Sequence, residues 1–107
     1  RIPDNHIHFF RNTRFFHSCG SYYFVHAGVK PHVALELQSP EEQLWIRDAF
    51  IEHSKPFEKI IVHGHSITDE PDFRENRIGL DTGAYLSGKL SCLVLENDSQ
   101  RVIQTDA

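Results

Sequence analysis

The run Ile60-Ile61-Val62 most constrains the fold of this chain, because three successive apolar β-formers are typical of a strand buried inside a sheet. His63-Gly64-His65 follows it directly, and a second β-rich run, Tyr22 to Val25, is followed by His26. Glycine lets a chain turn and lets a ligand approach the backbone. Ligands of α/β sheets bind outside the carboxyl ends of the strands. The sequence therefore predicts two histidines at strand ends, placed as half of a metal site.

The remaining elements follow from hydrophobic periodicity and turn signals. Pro3 and the helical spacing that follows it predict a helix over about residues 3–16, then a turn at 17–20. Ser39, Pro40 and Glu42 form a capping box that opens a helix predicted at about 40–53. Strands are predicted at about 21–26, 59–63, 77–80, 90–96 and 102–105, with loops at 27–38 and 66–75. Strands outnumber helices and the last two pair locally, so we expect one α+β domain over residues 1–107.

Composition excludes several classes of function. The formal charge is −4, and the Lys and Arg residues form no run, so no nucleic-acid partner is expected. There is no signal peptide and no apolar run of about 18 residues, so no membrane partner is expected either. Cys19 and Cys92 form no paired motif, and Cys92 is expected to be buried. We expect a cytoplasmic protein, and the abrupt start at Arg1 suggests a piece of a longer one.

Three side chains are the candidates for chemistry. His26 and His65 supply imidazole nitrogens, which Zn, Mn and Fe accept. The alternative is that both merely form hydrogen bonds at strand ends. His63 would face the same side as His65 in an extended segment, but His65 follows Gly64 and is the preferred ligand, leaving His63 a supporting role. Arg47 carries a planar fork that suits phosphate oxygens, although an ordinary ion pair would also explain it.

Asp81-Thr82-Gly83 raises a rival interpretation, because the same triplet after an apolar strand is the signature of retroviral-type aspartic proteases. It lies too late in the chain for that fold, since only residues 84–107 remain to complete a barrel. We therefore expect Asp81 and Thr82 to hydrogen-bond backbone groups at a tight turn. The other histidines, at positions 6, 8, 17, 32 and 53, are interpreted as surface or packing residues.

Several segments of the chain indicate a family resemblance when they are considered together. They are Phe24-Val25-His26-Ala27-Gly28-Val29-Lys30-Pro31, Leu44-Trp45-Ile46-Arg47, Val62-His63-Gly64-His65-Ser66, Asn76-Arg77-Ile78-Gly79-Leu80-Asp81-Thr82-Gly83-Ala84-Tyr85 and Gly88-Lys89-Leu90. In this order and spacing they resemble the carboxyl-terminal half of the phosphoprotein phosphatase family of metallophosphoesterases. Bacterial serine/threonine phosphatases and symmetrical diadenosine tetraphosphatases are the nearest branches. The resemblance spans nearly the whole chain and implies part of a β-sandwich flanked by helices.

The resemblance also implies roles and partners. His26 and His65 correspond to ligands of one metal in a pair of divalent ions, Mn, Fe or Zn, and Arg47 to a phosphate-clamping arginine. The implied activity is hydrolysis of phosphoproteins or small phosphoesters. A dinucleoside polyphosphate hydrolase and a non-catalytic phosphatase-like interaction domain remain alternatives. The family's amino-terminal motifs, Gly-Asp-x-His-Gly, Gly-Asp-x-x-Asp-Arg-Gly and Gly-Asn-His-Glu, do not occur here. We therefore expect this chain alone to be inactive and prone to self-association through apolar surface.

Overall fold

Helices and strands both contribute to the fold, which a computed structural model describes over residues 2–11 and 14–105. The helices are α1 (Asp4–Arg11), α2 (Pro40–Trp45), α3 (Asp48–Ile51) and α4 (Ala84–Ser87), with a 3-10 turn at Leu35–Leu37. The strands are β1 (Phe16–Cys19), β2 (Tyr22–Val25), β3 (Ile60–His63), β4 (Asp72–Phe73), β5 (Arg77–Gly79), β6 (Ser91–Glu96) and β7 (Ser99–Gln104). The predicted α+β class is confirmed.

The larger sheet determines where the strand-end loops meet. Its order is β1-β2-β3-β5-β4, and β6 pairs with β7 in a separate two-stranded sheet. Strands β2, β3 and β5 run parallel, with Phe24 beside Val62 and Val62 beside Ile78. β1 and β4 join the two edges in antiparallel fashion. Because β2, β3 and β5 share one direction, the loops that leave their carboxyl ends emerge at the same edge of the sheet.

A small core lies under this sheet and holds the first of those loops in place. Ile61, Ile78, Val29 and Phe50 are almost completely buried. Phe50 packs directly on Gly28, where an added Cβ would lie only 2.3 Å from the ring. Gly28 also has φ of +154°, which side-chain-bearing residues rarely adopt. The segment after β2 thus passes over Phe50 only because residue 28 is glycine.

The helix predicted over about residues 3–16 is too long, and most of the turn predicted at 17–20 belongs to a strand. The helix ends at Arg11, residues 12 and 13 lie outside the described part of the chain, and Phe16–Cys19 is a strand. This strand pairs with β2 through a tight turn at Gly20, whose φ is +56°. The ring of Phe16 stacks on Tyr23 at 5.1 Å. Pairing with β2 therefore overrides the local helical spacing.

The helix predicted at 40–53 begins as expected but does not continue. Ser39 caps it by accepting a hydrogen bond from the amide of Glu42, and Pro40 occupies the first turn. The helix stops after Trp45, since Ile46 is extended (ψ 142°) and Arg47 is also non-helical (ψ −107°). Ile46 is buried at this break. Arg47 consequently lies at the junction between α2 and α3 instead of inside a helix.

Smaller differences concern the carboxyl-terminal third. The loop predicted at 66–75 contains the short strand β4, and the short helix α4 lies between Gly83 and Gly88. Cys92 is exposed, which corrects its predicted burial, because β6 belongs to a two-stranded sheet that leaves this position open to solvent. In the part of the chain that is described, no helix is both long and apolar enough to cross a bilayer.

Candidate metal centre

Three loops converge at the carboxyl edge of the parallel strands. His26 follows β2, His65 follows β3 by two residues, and Asp81 follows β5 by two residues. All three side chains line one open cleft of about 410 Å³. Both histidines follow strands, as predicted, and the structure places them in one cleft together with a carboxylate.

The imidazole rings of His26 and His65 lie side by side, with centroids 5.0 Å apart. The Nε2 atom of His65 is buried and has no hydrogen-bond partner. A buried polar atom without a partner carries a desolvation cost, and metal coordination would remove it. Neutral imidazole nitrogen is a common ligand of Zn, Mn and Fe. The pair therefore fits a divalent metal ion, for which it would supply two ligands.

Backbone contacts hold the two histidine loops together. The amide of Gly64 donates to the carbonyl oxygen of His26 at 2.7 Å. The amide of Ser66 donates back to the carbonyl of Gly64 at 2.7 Å, and His65 between them has φ of +65°. A bond from residue i+2 to residue i around a positive φ defines a γ-turn, which is rare and strained. Strain of this kind is typical of functional sites.

The electrostatic surroundings keep the His65 ring neutral. Burial lowers the pKa of His65, and the positive charge of Arg47 and the neighbouring His26 lower it further, while Asp81 partly opposes them. A lowered pKa favours the neutral ring, in which one nitrogen is unprotonated and can bind a metal ion. The same effect shows that the guanidinium charge of Arg47 acts on this ring.

Arg47 and Trp45 approach the site from the helix break. Arg47 is exposed and precedes α3. The indole of Trp45 is 66% exposed and meets the His65 ring edge-to-face at 5.9 Å. Both side chains therefore act on His65, Trp45 by ring contact and Arg47 by its charge.

His63 borders the same cleft as His65, but its side chain is buried. It is only 4% exposed, and its ring packs against Phe50 at 4.8 Å. The segment turns at Gly64, so the same-side placement that holds for an extended segment does not apply here. Burial lowers the pKa of His63 to about 4, with the bond to Gly64 opposing and the charge of Arg77 adding to the shift. The predicted supporting role of His63 is consistent with this placement.

Sequence reasoning missed two features near the site. Arg77 is buried behind His63, and Asp72 binds it from β4. The only signal was an arginine that begins an otherwise apolar strand, which does not identify a partner.

Asp81 accepts a hydrogen bond from the amide of Gly83, and Thr82 donates to the carbonyl of Lys89, as the turn interpretation predicted. The proximity of Asp81 to His65 was not predicted.

The described residues do not bring together a complete set of ligands. Within positions 2–11 and 14–105, no group of three or more His, Cys, Asp or Glu side chains is placed to hold a metal ion. A catalytic centre normally takes at least three protein ligands, so His26 and His65 would need further partners. Neither a protein-family model nor a curated protein matches this chain.

Proposed function

We propose that this chain is the carboxyl-terminal portion of a metal-dependent phosphoric ester hydrolase of the phosphoprotein phosphatase type, which acts on phosphoserine or phosphothreonine. Its two-stranded and five-stranded sheets would belong to a β-sandwich that an amino-terminal portion completes. That portion would supply the remaining metal ligands. The proposal rests on the resemblance of the strand-end motifs and on the geometry of the residues that carry them.

One observation carries the proposal above the rest. The buried, unpartnered Nε2 of His65 lies in a ring 5.0 Å from that of His26, at the mouth of a cleft. Two strand-end histidines that merely formed hydrogen bonds would not leave this nitrogen without a partner. The strained turn at His65 and the lowered pKa of its ring favour a ligand over a packing residue.

Each residue would have a separate task in the hydrolysis. His26 and His65 would hold one of two divalent ions, and such ions would supply an acidified water as the nucleophile toward phosphorus. Arg47 would bind phosphoryl oxygens and offset their charge as the transition state forms. Its exposed position at the α2–α3 break leaves the guanidinium accessible to a substrate that enters from solvent.

The test uses the full-length parent protein with p-nitrophenyl phosphate and Mn²⁺. His26→Ala and His65→Ala should each abolish metal-dependent turnover. Arg47→Ala should retain the metals but lower kcat or raise KM, because phosphate is no longer clamped. His17→Ala, an exposed histidine on β1, provides a matched control that should keep full activity. Near-normal activity of His26→Ala or His65→Ala would refute the assignment.

Trp45 favours a second candidate, a dinucleoside polyphosphate hydrolase. Its indole is largely exposed beside His65, and an exposed indole is a surface on which a nucleobase stacks. The effect of a Trp45 substitution on KM for two substrates distinguishes a dinucleoside polyphosphate hydrolase from a protein phosphatase. Trp45→Ala should raise KM for a dinucleoside tetraphosphate at least tenfold if this candidate holds, and should leave KM for a phosphoserine peptide unchanged.

A further inference from the structure

Arg77 is a buried cation that the proposed hydrolysis does not use. It is 3% exposed and lies under Phe50, with the guanidinium carbon 5.9 Å from the ring centroid. Its Nη2 donates to Asp72 at 2.9 Å, and its Nη1 donates to Nε2 of His63 at 3.1 Å. Burying a guanidinium is costly unless it is paired and hydrogen-bonded, and Asp72 and His63 each accept from one of its nitrogens.

The contact with Arg77 determines which nitrogen of His63 carries the proton. Arginine has only donors, so Nε2 of His63 has to accept and cannot be protonated in the neutral ring. The proton therefore resides on Nδ1, which donates to the carbonyl oxygen of Gly64 at 3.1 Å. Gly79 makes room for this ring, since an added Cβ there would lie 3.2 Å from His63.

The carbonyl of Gly64 is the point at which this chain of hydrogen bonds reaches the two ligand histidines. It accepts from His63 on one side and from the Ser66 amide on the other, and the second bond closes the strained turn around His65. The amide of the same residue, Gly64, holds the carbonyl of His26. A strained turn persists only where its surroundings hold it in place.

We propose that Arg77 is a positioning residue that acts through His63: by imposing the Nδ1–H form it secures the Gly64 carbonyl, the strained turn at His65 and the close approach of the His26 and His65 rings. The inference rests on the proposed function in assigning metal binding to those two rings. Asp72 completes the chain of contacts from the β4 edge, because it orients the guanidinium through a second nitrogen.

The first experiment is a two-bond ¹H–¹⁵N correlation spectrum of the histidines in the metal-free chain at pH 7.5. His63 should show a protonated Nδ1 and an unprotonated Nε2. A nuclear Overhauser effect should connect protons of the His26 and His65 rings. This measurement needs no variant. A protonated Nε2 on His63 would overturn the proposal.

Variants then separate positioning from general stability. Arg77→Met should shift His63 toward the Nε2–H form and remove the contact between the His26 and His65 rings. Arg77→Lys keeps a donor-only nitrogen and should retain both signals. Arg74→Met is the matched control, since Arg74 binds the same carboxylate of Asp72 at 2.8 Å but is an exposed surface residue. The proposal would be contradicted if Arg77→Met and Arg74→Met changed the His63 tautomer and the ring contact equally. It would also be contradicted if Arg77→Met changed neither signal.

Zn²⁺ titration of the same samples connects positioning to metal binding. Loss of a supporting contact typically lowers metal affinity about 10- to 100-fold, and Arg77→Met should fall in that range while Arg74→Met stays near wild type. The proposed function is tested separately, by the turnover of His26→Ala and His65→Ala in the full-length parent, whereas the ring-contact and tautomer signals decide the positioning role. If Arg77→Met does not fold, the wild-type spectrum and Arg77→Lys decide it.

Discussion

The amide of Gly64 donates a 2.7 Å hydrogen bond to the carbonyl oxygen of His26, so the loops that follow two parallel strands are joined at the backbone. This bond explains why rings that are 39 positions apart in the sequence lie 5.0 Å apart between centroids. It also couples the position of His26 to the backbone conformation at Gly64.

Metal should bind at the His26–His65 pair in preference to other histidine pairs. His32 and His53 offer an internal comparison, since their rings are 5.4 Å apart and His32 also has a positive φ of 68°. In a Zn²⁺ titration of this chain followed by NMR, the resonances of His26 and His65 should shift at lower metal concentrations. His65→Asn should abolish these shifts and leave those of His53 unchanged. Equal responses at both pairs would argue against a dedicated site.

Stability should decline in mild acid because His63 is buried in its neutral form. Its pKa is 6.5 in the unfolded chain and about 4 in the folded chain. Between pH 4 and 6.5 the unfolded state therefore binds a proton that the folded state does not. Stability is therefore retained above pH 6.5 and lost as pH falls toward 4, by about 3 kcal/mol at most at 1.36 kcal/mol per pKa unit. Urea unfolding with chelator at several pH values measures the loss. His63→Asn should show a shallower slope, and an unchanged slope would contradict the assignment.

Replacement of Gly28 should destabilise the fold strongly. In Gly28→Ala the new Cβ would lie 2.3 Å from Phe50 and the backbone has φ of +154°, so both clash and strain contribute. We expect a loss of about 2–4 kcal/mol in the free energy of unfolding. Gly20→Ala is the control, because φ is +56° there but nothing lies within 4 Å. It should cost about 1 kcal/mol, and urea denaturation would distinguish the two.

The chain on its own should self-associate through its apolar surface. Phe15 and Phe16 are about half exposed and line, with Leu44, an open groove of about 640 Å³ beside His26. Gel filtration over a concentration series should show a shift toward dimer. Phe15→Ser should raise the dissociation constant of the dimer about tenfold, which corresponds to about 1.4 kcal/mol. Leu37→Ser, which removes a more exposed side chain elsewhere, should not. A monomer at all concentrations would contradict this prediction.

Much of the secondary structure could be predicted because its signals are local. The capping box at Ser39 and the apolar centre of β3 each depend on neighbouring residues alone. The break at Ile46 and the strand at Phe16–Cys19 could not be predicted, since burial of Ile46 and pairing with β2 decide them. The exposure of Cys92 likewise depends on what covers β6, which no local pattern specifies.

By itself the sequence determined which side chains stand at the strand ends, because a β-rich run followed by histidine and glycine places His26 and His65 there. Only the tertiary structure decided that these ends meet, since parallel pairing of β2, β3 and β5 brings together loops that are far apart along the chain. It also decided that the ring of His63 is buried against Arg77 and Phe50, while the ring of His65 lies beside that of His26. The physical reason is that ring direction follows from a strained turn and from long-range hydrogen bonds, neither of which a pattern of residue types encodes.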